Sequence, residues 1–534
     1  MYTGPEMLDR FADWWMSGRR YDVFLGLLLA SICTLVFVVG VPRLVMYGHD
    51  VFVSLDGAWR VLNGQRPQVD FFAQMGPAYY LIHAAGLELA RGDAGGLGYG
   101  STMVAVALAS WSFLLLRSRM ASIPFCLACV MLVLLASAPF PLGMEPWYTS
   151  FSMKHNRYGF ALTGLIFLEC FLPPAAGEGR RKQLGGAFSS GVACALLLFL
   201  KISYGMVALV LMAVSIVVRP AKRIRLAGLI GGLLSFGLPM LAYLRFNLPA
   251  LAREYEVLAA TQSQRFTIPT IVWRVYLGRF EILPVLLLAM LTALLPSVSR
   301  RRAMVLMVAA VLATGGGVLL IVGNTQAGDY PLMAALAILL VNELTTVLAQ
   351  GARIQTATLL VFGLLAMAVP TALDGGGLAL ALWSKLHPSG PDYSFHAAHL
   401  RALRFADVDN VYLHNDNGQP FVRYTEEGMD LVRACGRSGE SVRGLGMSNP
   451  FSFALLRRPP LGGAVALAAT NSSAASIPPK EMLIGDADLL LVPRYPASER
   501  ETLALVLARY PELLVREYRR VASSRHWDLY RRAR

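Results

Sequence analysis

YDVFLGLLLASICTLVFVVGV, residues 21–41, carries one acid near its start and no charge after it. Crossing the roughly 30 Å hydrocarbon core of a bilayer takes about 20 mostly apolar helical residues, each rising roughly 1.5 Å, and this run is long enough. It is too long for the apolar region of a cleaved signal peptide, and no small-residue cleavage site follows, so it reads as a retained span. Similar runs fall near 99–116, 123–140, 158–172, 184–200, 204–218, 226–246, 282–296, 303–322, 331–348 and 356–372. About eleven transmembrane helices are expected.

Composition agrees. The chain has 534 residues, of which 55% are hydrophobic and only 15% charged, against roughly 25% charged in soluble domains. The net charge of +14 does not indicate nucleic acid, because the cations sit in short clusters between apolar runs and form no stripe interleaved with aromatics. Cys33, Cys126, Cys129, Cys170 and Cys194 lie in or beside apolar stretches, which gives no disulfide framework; the Cys126/Cys129 spacing inside such a run points to packing.

Basic residues of short loops stay on the cytoplasmic side. With Arg10, Arg19 and Arg20 inside, the loops holding Arg117 and Arg119, Arg180 to Lys182, Arg219 to Arg225, Arg300 to Arg302 and Arg353 are inside too, provided that residues 184–218 split into a hairpin near Lys201. The outside then receives residues 43–98, 141–157, 247–281, 323–330 and everything after about Asp374. The expected fold is a polytopic α-helical membrane protein of the bacterial inner membrane, N-terminus cytoplasmic. Residues 1–373 form its transmembrane part, with the working loop at 42–98; residues 374–534 form a periplasmic α/β domain.

In the first outside loop Phe52, Leu55, Trp59 and Leu62 share one helical face, with Asp56, Arg60 and Asn63 opposite, the pattern of an amphipathic helix lying in the interface. A second interfacial helix is expected after Gly76, with Pro77 in its first turn, running through Tyr79 and Tyr80 towards Gly92. In the C-terminal part, apolar stretches at 411–413 and 489–492 alternate with a helical pattern at 499–510. The basic, aromatic end at 515–534 reads as a solvated helical face, and the Asn471 glycosylation triplet carries no weight.

After His49-Asp50 the chain continues DGAWRVLNGQRPQVDFFAQMGPAYYL, residues 56–81. An acid soon after the first span, Gly64 and Pro67 beyond it, the Asp70-Phe71 pair and then Gly76-Pro77 with aromatics resemble the first periplasmic loop of the C-fold polyprenyl-phosphate-dependent glycosyltransferases, the group of the protein O-mannosyltransferases and the lipid A aminoarabinose transferase. His49-Asp50 stands where those families commonly have Asp-Glu. The resemblance implies a membrane hexosyl- or pentosyltransferase that moves a sugar, with inversion, from a polyprenyl-phosphate carrier to a glycan, lipid or protein acceptor.

Such chemistry needs a carboxylate to take the acceptor proton. Asp50 fits the spacing to Gly64, or else is a helix N-cap; Asp56 is its rival, or else pairs with Arg60 four residues on; His49 is its neighbour. Asp70 either shapes the loop or holds an acceptor group. The leaving lipid phosphate needs fixed cations, for which Lys154, His155 and Arg157 precede a span and Lys201 tips its hairpin, although snorkelling clusters look the same. Arg265 and Arg274, beside Trp273 and Tyr276, could cover a carrier groove or form an aromatic belt. Gln326 and Asp329 could bind sugar hydroxyls or be plain loop residues. No metal-ligand spacing appears and no cofactor is expected. The alternative is a lipid or saccharide transporter or flippase, which predicts matched broken helices and mid-membrane charges; an O-antigen polymerase or ligase predicts a large arginine-bearing loop between late spans. An impermeant thiol reagent on intact cells should label Asn63→Cys in a cysteine-free background; protection until lysis would place residues 49–80 inside and end this topology.

Overall fold

The computed structural model describes residues 19–175, 177–219, 221–263, 266–324, 328–349, 354–388, 390–407, 417–467, 477–494 and 498–533. All eleven apolar runs fall in helices. In chain order the helices are α1 (Arg19–Val39), α2 (Val51–Leu62), α3 (Pro77–Leu89), α4 (Gly96–Leu116), α5 (Ser122–Ser137), α6 (Lys154–Phe171), α7 (Arg180–Leu200), α8 (Ile202–Val218), α9 (Lys222–Tyr243), α10 (Leu248–Ser263), α11 (Ile268–Leu277), α12 (Arg279–Ala293), α13 (Arg300–Gly323), α14 (Pro331–Ala349) and α15 (Ile354–Leu386). Among the described residues seven are long and apolar enough to cross a membrane, and the α11–α12 pair, bent by 76°, would make an eighth; α5 and α8 are shorter apolar helices. The chain is a multi-pass membrane protein.

Large apolar side chains such as Leu27, Leu114, Val217, Leu283 and Val311 are exposed on the outer faces of the helices, where the solvent is lipid. The centre is packed. Helix α6 is buried along its whole length, and so is most of α14. Small residues set the closest approaches: a Cβ on Gly232 of α9 would come within 1.9 Å of the Phe188 carbonyl oxygen of α7, the intimacy that glycine permits between membrane helices.

The two ends of the bundle differ. At one, short loops carry basic residues, and Arg119 and Arg225 converge on the buried Glu169 of α6 at 2.9 and 2.6 Å. The other is capped by residues 41–95, by 138–153, by α10 and α11, and by the C-terminal part. There β1 (Asp392–Tyr393) pairs with β2 (Phe405–Ala406), and a four-stranded sheet has the order β3 (Val442–Gly444), β4 (Leu489–Pro493), β6 (Trp527–Arg532), β5 (Tyr518–Ser523). β3 and β4 are parallel and the other pairs antiparallel. Helix α16 (Gly418–Cys435) lies against this sheet, where Trp527 Nε1 donates to the Tyr424 carbonyl at 2.7 Å.

Three expectations are corrected. The end of the chain is the β5–β6 hairpin and not a helix, because Trp527 and Leu529 are buried at alternate positions, the period of a strand. Helix α15 does not stop near residue 372; it continues to Leu386, so the boundary placed at 373/374 falls inside it. The polar face of α2 is not turned outward as an amphipathic surface helix requires: the apolar face packs on Phe395, Phe421 and Phe453, and Asp56 and Arg60 opposite it are buried as well, with only Asn63 at the helix end exposed. The stretch at 411–413 and Asn471 lie outside the described residues.

That polar face holds the C-terminal part in place. Asp56 accepts from Arg60 Nε at 2.9 Å and from Asn449 Nδ2 at 3.1 Å, while Arg60 Nη1 donates to the carbonyls of Pro460 and Gly462, both at 2.8 Å. Removing one partner of a buried ion pair leaves an uncompensated charge, at a cost of about 3–5 kcal/mol. Arg60→Ala should therefore lower the thermal midpoint in detergent and open the 449–462 region to protease, more severely than the paired Asp56→Leu, Arg60→Met exchange. Equal stability of Arg60→Ala and the native chain would contradict this role.

Candidate active site

The site is built where the first loop meets the break between α7 and α8. Lys201 is the only residue separating these helices and has extended backbone, φ −166° and ψ 123°. The break exposes the Leu200 carbonyl, which accepts from Gly76 N–H at 2.8 Å; a Cβ on Gly76 would come within 2.1 Å of the Phe199 carbonyl oxygen. Glycine thus brings the first loop onto the hairpin tip, and Pro77 starts α3 immediately afterwards.

Lys201 Nζ lies 3.3 Å from His155 Nε2. The His155 ring packs edge-on against Tyr79, and Tyr79 Oη shares a hydrogen bond with Ser54 Oγ at 2.6 Å. Asp50 is at the start of α2. His49 Nε2 is 3.2 Å from its Oδ1, and Ser152 Oγ donates to its Oδ2. Burial is the largest influence on the Asp50 carboxyl and pushes it up, but the charge of His49 and the hydrogen bonds from His49 and Ser152 together outweigh burial and hold it below the usual carboxylate range. Its side chain keeps 17% exposure, whereas the side chain of Asp56 has none. The two candidate bases are thereby separated: Asp50 can be reached, and both oxygens of Asp56 are engaged within the packed interior.

A groove of about 660 Å³ runs from Lys201 between α8, α10 and α13. Met206 and Val210, Leu258, and Val311 and Leu319 make its apolar walls; Gln68, Gln74, Ser203, Tyr255 and Lys201 are its polar lining. Beside this polar end the buried Glu254 of α10 accepts from Ala73 N–H at 2.9 Å. Burial holds its carboxyl well above the usual carboxylate range, against the hydrogen bonds from Ala73 and Gln68. A second cavity, of about 330 Å³, lies between α5, α12, α14 and α15 and is lined by Glu281, Asp329 and Asp374.

The other candidate residues are placed as follows. Asp70 is clasped by Arg66, whose Nε and Nη2 donate at 2.8 and 3.0 Å. Lys154 donates to the Ser137 and Ala138 carbonyls at the end of α5, at 3.0 and 2.9 Å, and Arg157 bridges the Phe140 carbonyl at 2.6 Å and Asp374 at 2.9 Å. Of the expected cation cluster, His155 and Lys201 face the site while Lys154 and Arg157 cap and tie helices. Asp329 accepts from Gly143 N–H at 2.8 Å, and burial raises its carboxyl. Arg274 is on α11, whose apolar residues are exposed and which leaves the groove wall to α10. Arg265 and Gln326 lie outside the described residues.

Sequence reasoning missed Ser54, Tyr79, His83, Ser152 and Glu254. Only Glu254, an acid within the amphipathic pattern of α10, left a signal. His83 is fully buried among Tyr79, Phe151 and Tyr158, and neither ring nitrogen has a hydrogen-bond partner among the described residues. Burial, then the charge of Lys154, pushes its pKa down to about 3. A depressed folded-state pKa contributes stability that is complete above the unfolded value of about 6.5 and is lost as pH falls towards 3. Between pH 7.5 and 5 this loss is about 2 kcal/mol, so His83→Leu should flatten the thermal stability profile over that range. Parallel profiles for the two proteins would remove His83 as the cause.

No family model and no curated protein matches the chain. Solved structures similar to it include ArnT from Cupriavidus metallidurans bound to undecaprenyl phosphate, at 15% identity over 94% of this chain and 97% of that chain with a TM-score of 0.44, and ArnT from the same organism in the apo state, at 14% identity over the same shares with a TM-score of 0.47.

Proposed function

We propose that this protein is a membrane glycosyltransferase that moves a sugar from a polyprenyl-phosphate carrier to an acceptor hydroxyl on the extracytoplasmic side. One observation carries the reading. An apolar groove of about 660 Å³ ends at a cation, Lys201, and an accessible carboxylate held below the usual range, Asp50, lies just beyond it across His155 and Tyr79.

In this reading the carrier chain lies along α8 and α13 with its phosphate at Lys201, where an ammonium stabilises the charge that develops on leaving. Asp50 takes the proton of the acceptor hydroxyl. The acceptor oxygen forms its bond to the anomeric carbon from the face opposite the phosphate; the carbon–oxygen bond to phosphate breaks, and its electron pair leaves on the lipid phosphate, so the configuration inverts. His49 and Ser152 keep Asp50 ionised and aimed. All eleven apolar helices cross the membrane, and the capped end is extracytoplasmic. Sealing of the opposite end by the buried Glu169 cluster argues against a transporter, which needs access from both sides.

Transfer of labelled sugar from a polyprenyl-phosphate donor in isolated membranes provides the test. Asp50→Asn should fold, retain binding of polyprenyl phosphate and lose about 10²–10⁴-fold in turnover, the usual worth of a general base. Lys201→Ala should weaken carrier binding by about tenfold or more, the worth of one charge-assisted hydrogen bond. Full transfer by Asp50→Asn would eliminate the base.

A further inference from the structure

Separate from the groove, and sharing none of its lining residues, a cavity of about 410 Å³ opens where the capped ends of α1 and α15 meet the chain around β1 and β2. Its size is within the range of small-molecule sites, roughly 300–1,000 Å³. Four cations line it: Arg43, Lys385, Arg401 and Arg404. Lys385 is fixed, because its Nζ donates to the Val38 and Val39 carbonyls at the end of α1, at 2.9 and 3.0 Å. Arg43 is fixed too, donating to Asp392 and, at 3.0 Å, to the Pro391 carbonyl.

Acidic groups do not balance this charge. Asp392 is taken by Arg43 and stands 3.7 Å from Arg404; Asp93, the other acid on the wall, accepts from Gly95 N–H at 2.7 Å. Lys385 and Arg401 make no ion pair with either. Immediately beside the cavity the surface is apolar and exposed: Phe37 and Val38 on α1, stiffened by stacking of Phe37 on Tyr99, and Trp383 and Leu386 on α15. Because α1 and α15 are membrane-crossing helices, their ends set the cavity at headgroup depth. A ligand that satisfied both surfaces would place an anion among the cations and hydrocarbon along the two helices.

We propose that this cavity binds the phosphate headgroup of an anionic glycerophospholipid, whose acyl chains lie on α1 and α15. Lys385 and Arg43 form a preset floor for the phosphate oxygens, and Arg401 and Arg404 close over it from the rim as charge-assisted donors. The proposal does not rest on the glycosyltransferase reading, since it concerns a separate cavity and is read out by lipid binding alone.

Full-length protein in phosphatidylcholine nanodiscs, titrated with phosphatidylglycerol and followed by native mass spectrometry of retained lipid, provides the test. The native chain should retain phosphatidylglycerol in preference to phosphatidylcholine. The Arg401→Ala, Arg404→Ala double variant should lose about thirtyfold in that affinity, from two cations near a headgroup. Arg401→Lys with Arg404→Lys should keep most of it, and Arg300→Ala with Arg301→Ala, at the opposite end of the bundle, should change nothing. Equal retention by the native chain and the double alanine variant would overturn the proposal. So would displacement of the lipid by millimolar inorganic phosphate, which would make the site one for a free anion.

Discussion

The capped end depends on a carboxylate that never meets water. Asp56 is held on one oxygen by Arg60 from its own helix and on the other by Asn449 from the far end of the sequence. Burying such a pair adds little net stability, since the lost hydration roughly cancels the attraction, but any arrangement that separates the partners is heavily penalised. Helix α2 can neither slide nor rotate against the C-terminal part without exposing one charge to an apolar interior. Its first turn is thereby fixed, and with it Asp50, relative to Ser152 and to the Ser54–Tyr79 hydrogen bond. A residue outside the chemistry positions the one proposed to perform it.

Two carboxyls near the site are driven in opposite directions. Burial acts on both. Asp50 is rescued by the charge of His49 and by donated hydrogen bonds, which favour the ionised form, while Glu254 has only Ala73 and Gln68 to set against desolvation. Environments that push neighbouring acids apart in this way separate proton acceptors from hydrogen-bond donors. Asp50 suits the first role, at the accessible edge of the first loop. Glu254 suits the second, joining α10 to the same loop at the polar end of the groove, where a charged carboxylate would repel a phosphate.

Much of this was legible from residue order because it follows from period and polarity. Eleven apolar runs became eleven helices, the split at Lys201 followed from charge alternation, and the Asp56–Arg60 pair followed from helical spacing. What the sequence hides is which surface covers a polar face. The Asp56 side of α2 reads as solvent-facing, and only the fold brings Asn449, Pro460 and Gly462 onto it. Similarly, four residues written consecutively, Lys154 to Arg157, divide between two functions because helical rotation turns His155 towards Tyr79 and Lys154 towards the end of α5. The terminal strands were misread for a different reason: a basic, aromatic stretch satisfies a helical and a strand pattern almost equally, and pairing with β4 decides between them.

The opposite end of the bundle is held together by charge. Arginines at the ends of α4 and α8 and the start of α9 read in sequence as topological markers, yet Arg119, Arg219 and Arg225 also surround Glu169, with Arg219 spanning the carbonyls of Glu169, Cys170 and Leu172. A lone acid inside an apolar run is costly unless paired, and here it is paired several times over. This knot fastens α4, α6, α8 and α9 at the end opposite the break at Lys201, which separates α7 from α8. The groove starts at that break, between α8, α10 and α13, and its apolar walls run up to the polar groups of Gln68, Gln74, Tyr255 and Lys201, so the charge that fastens one end of the bundle is matched at the other by a cation at the mouth of an apolar channel.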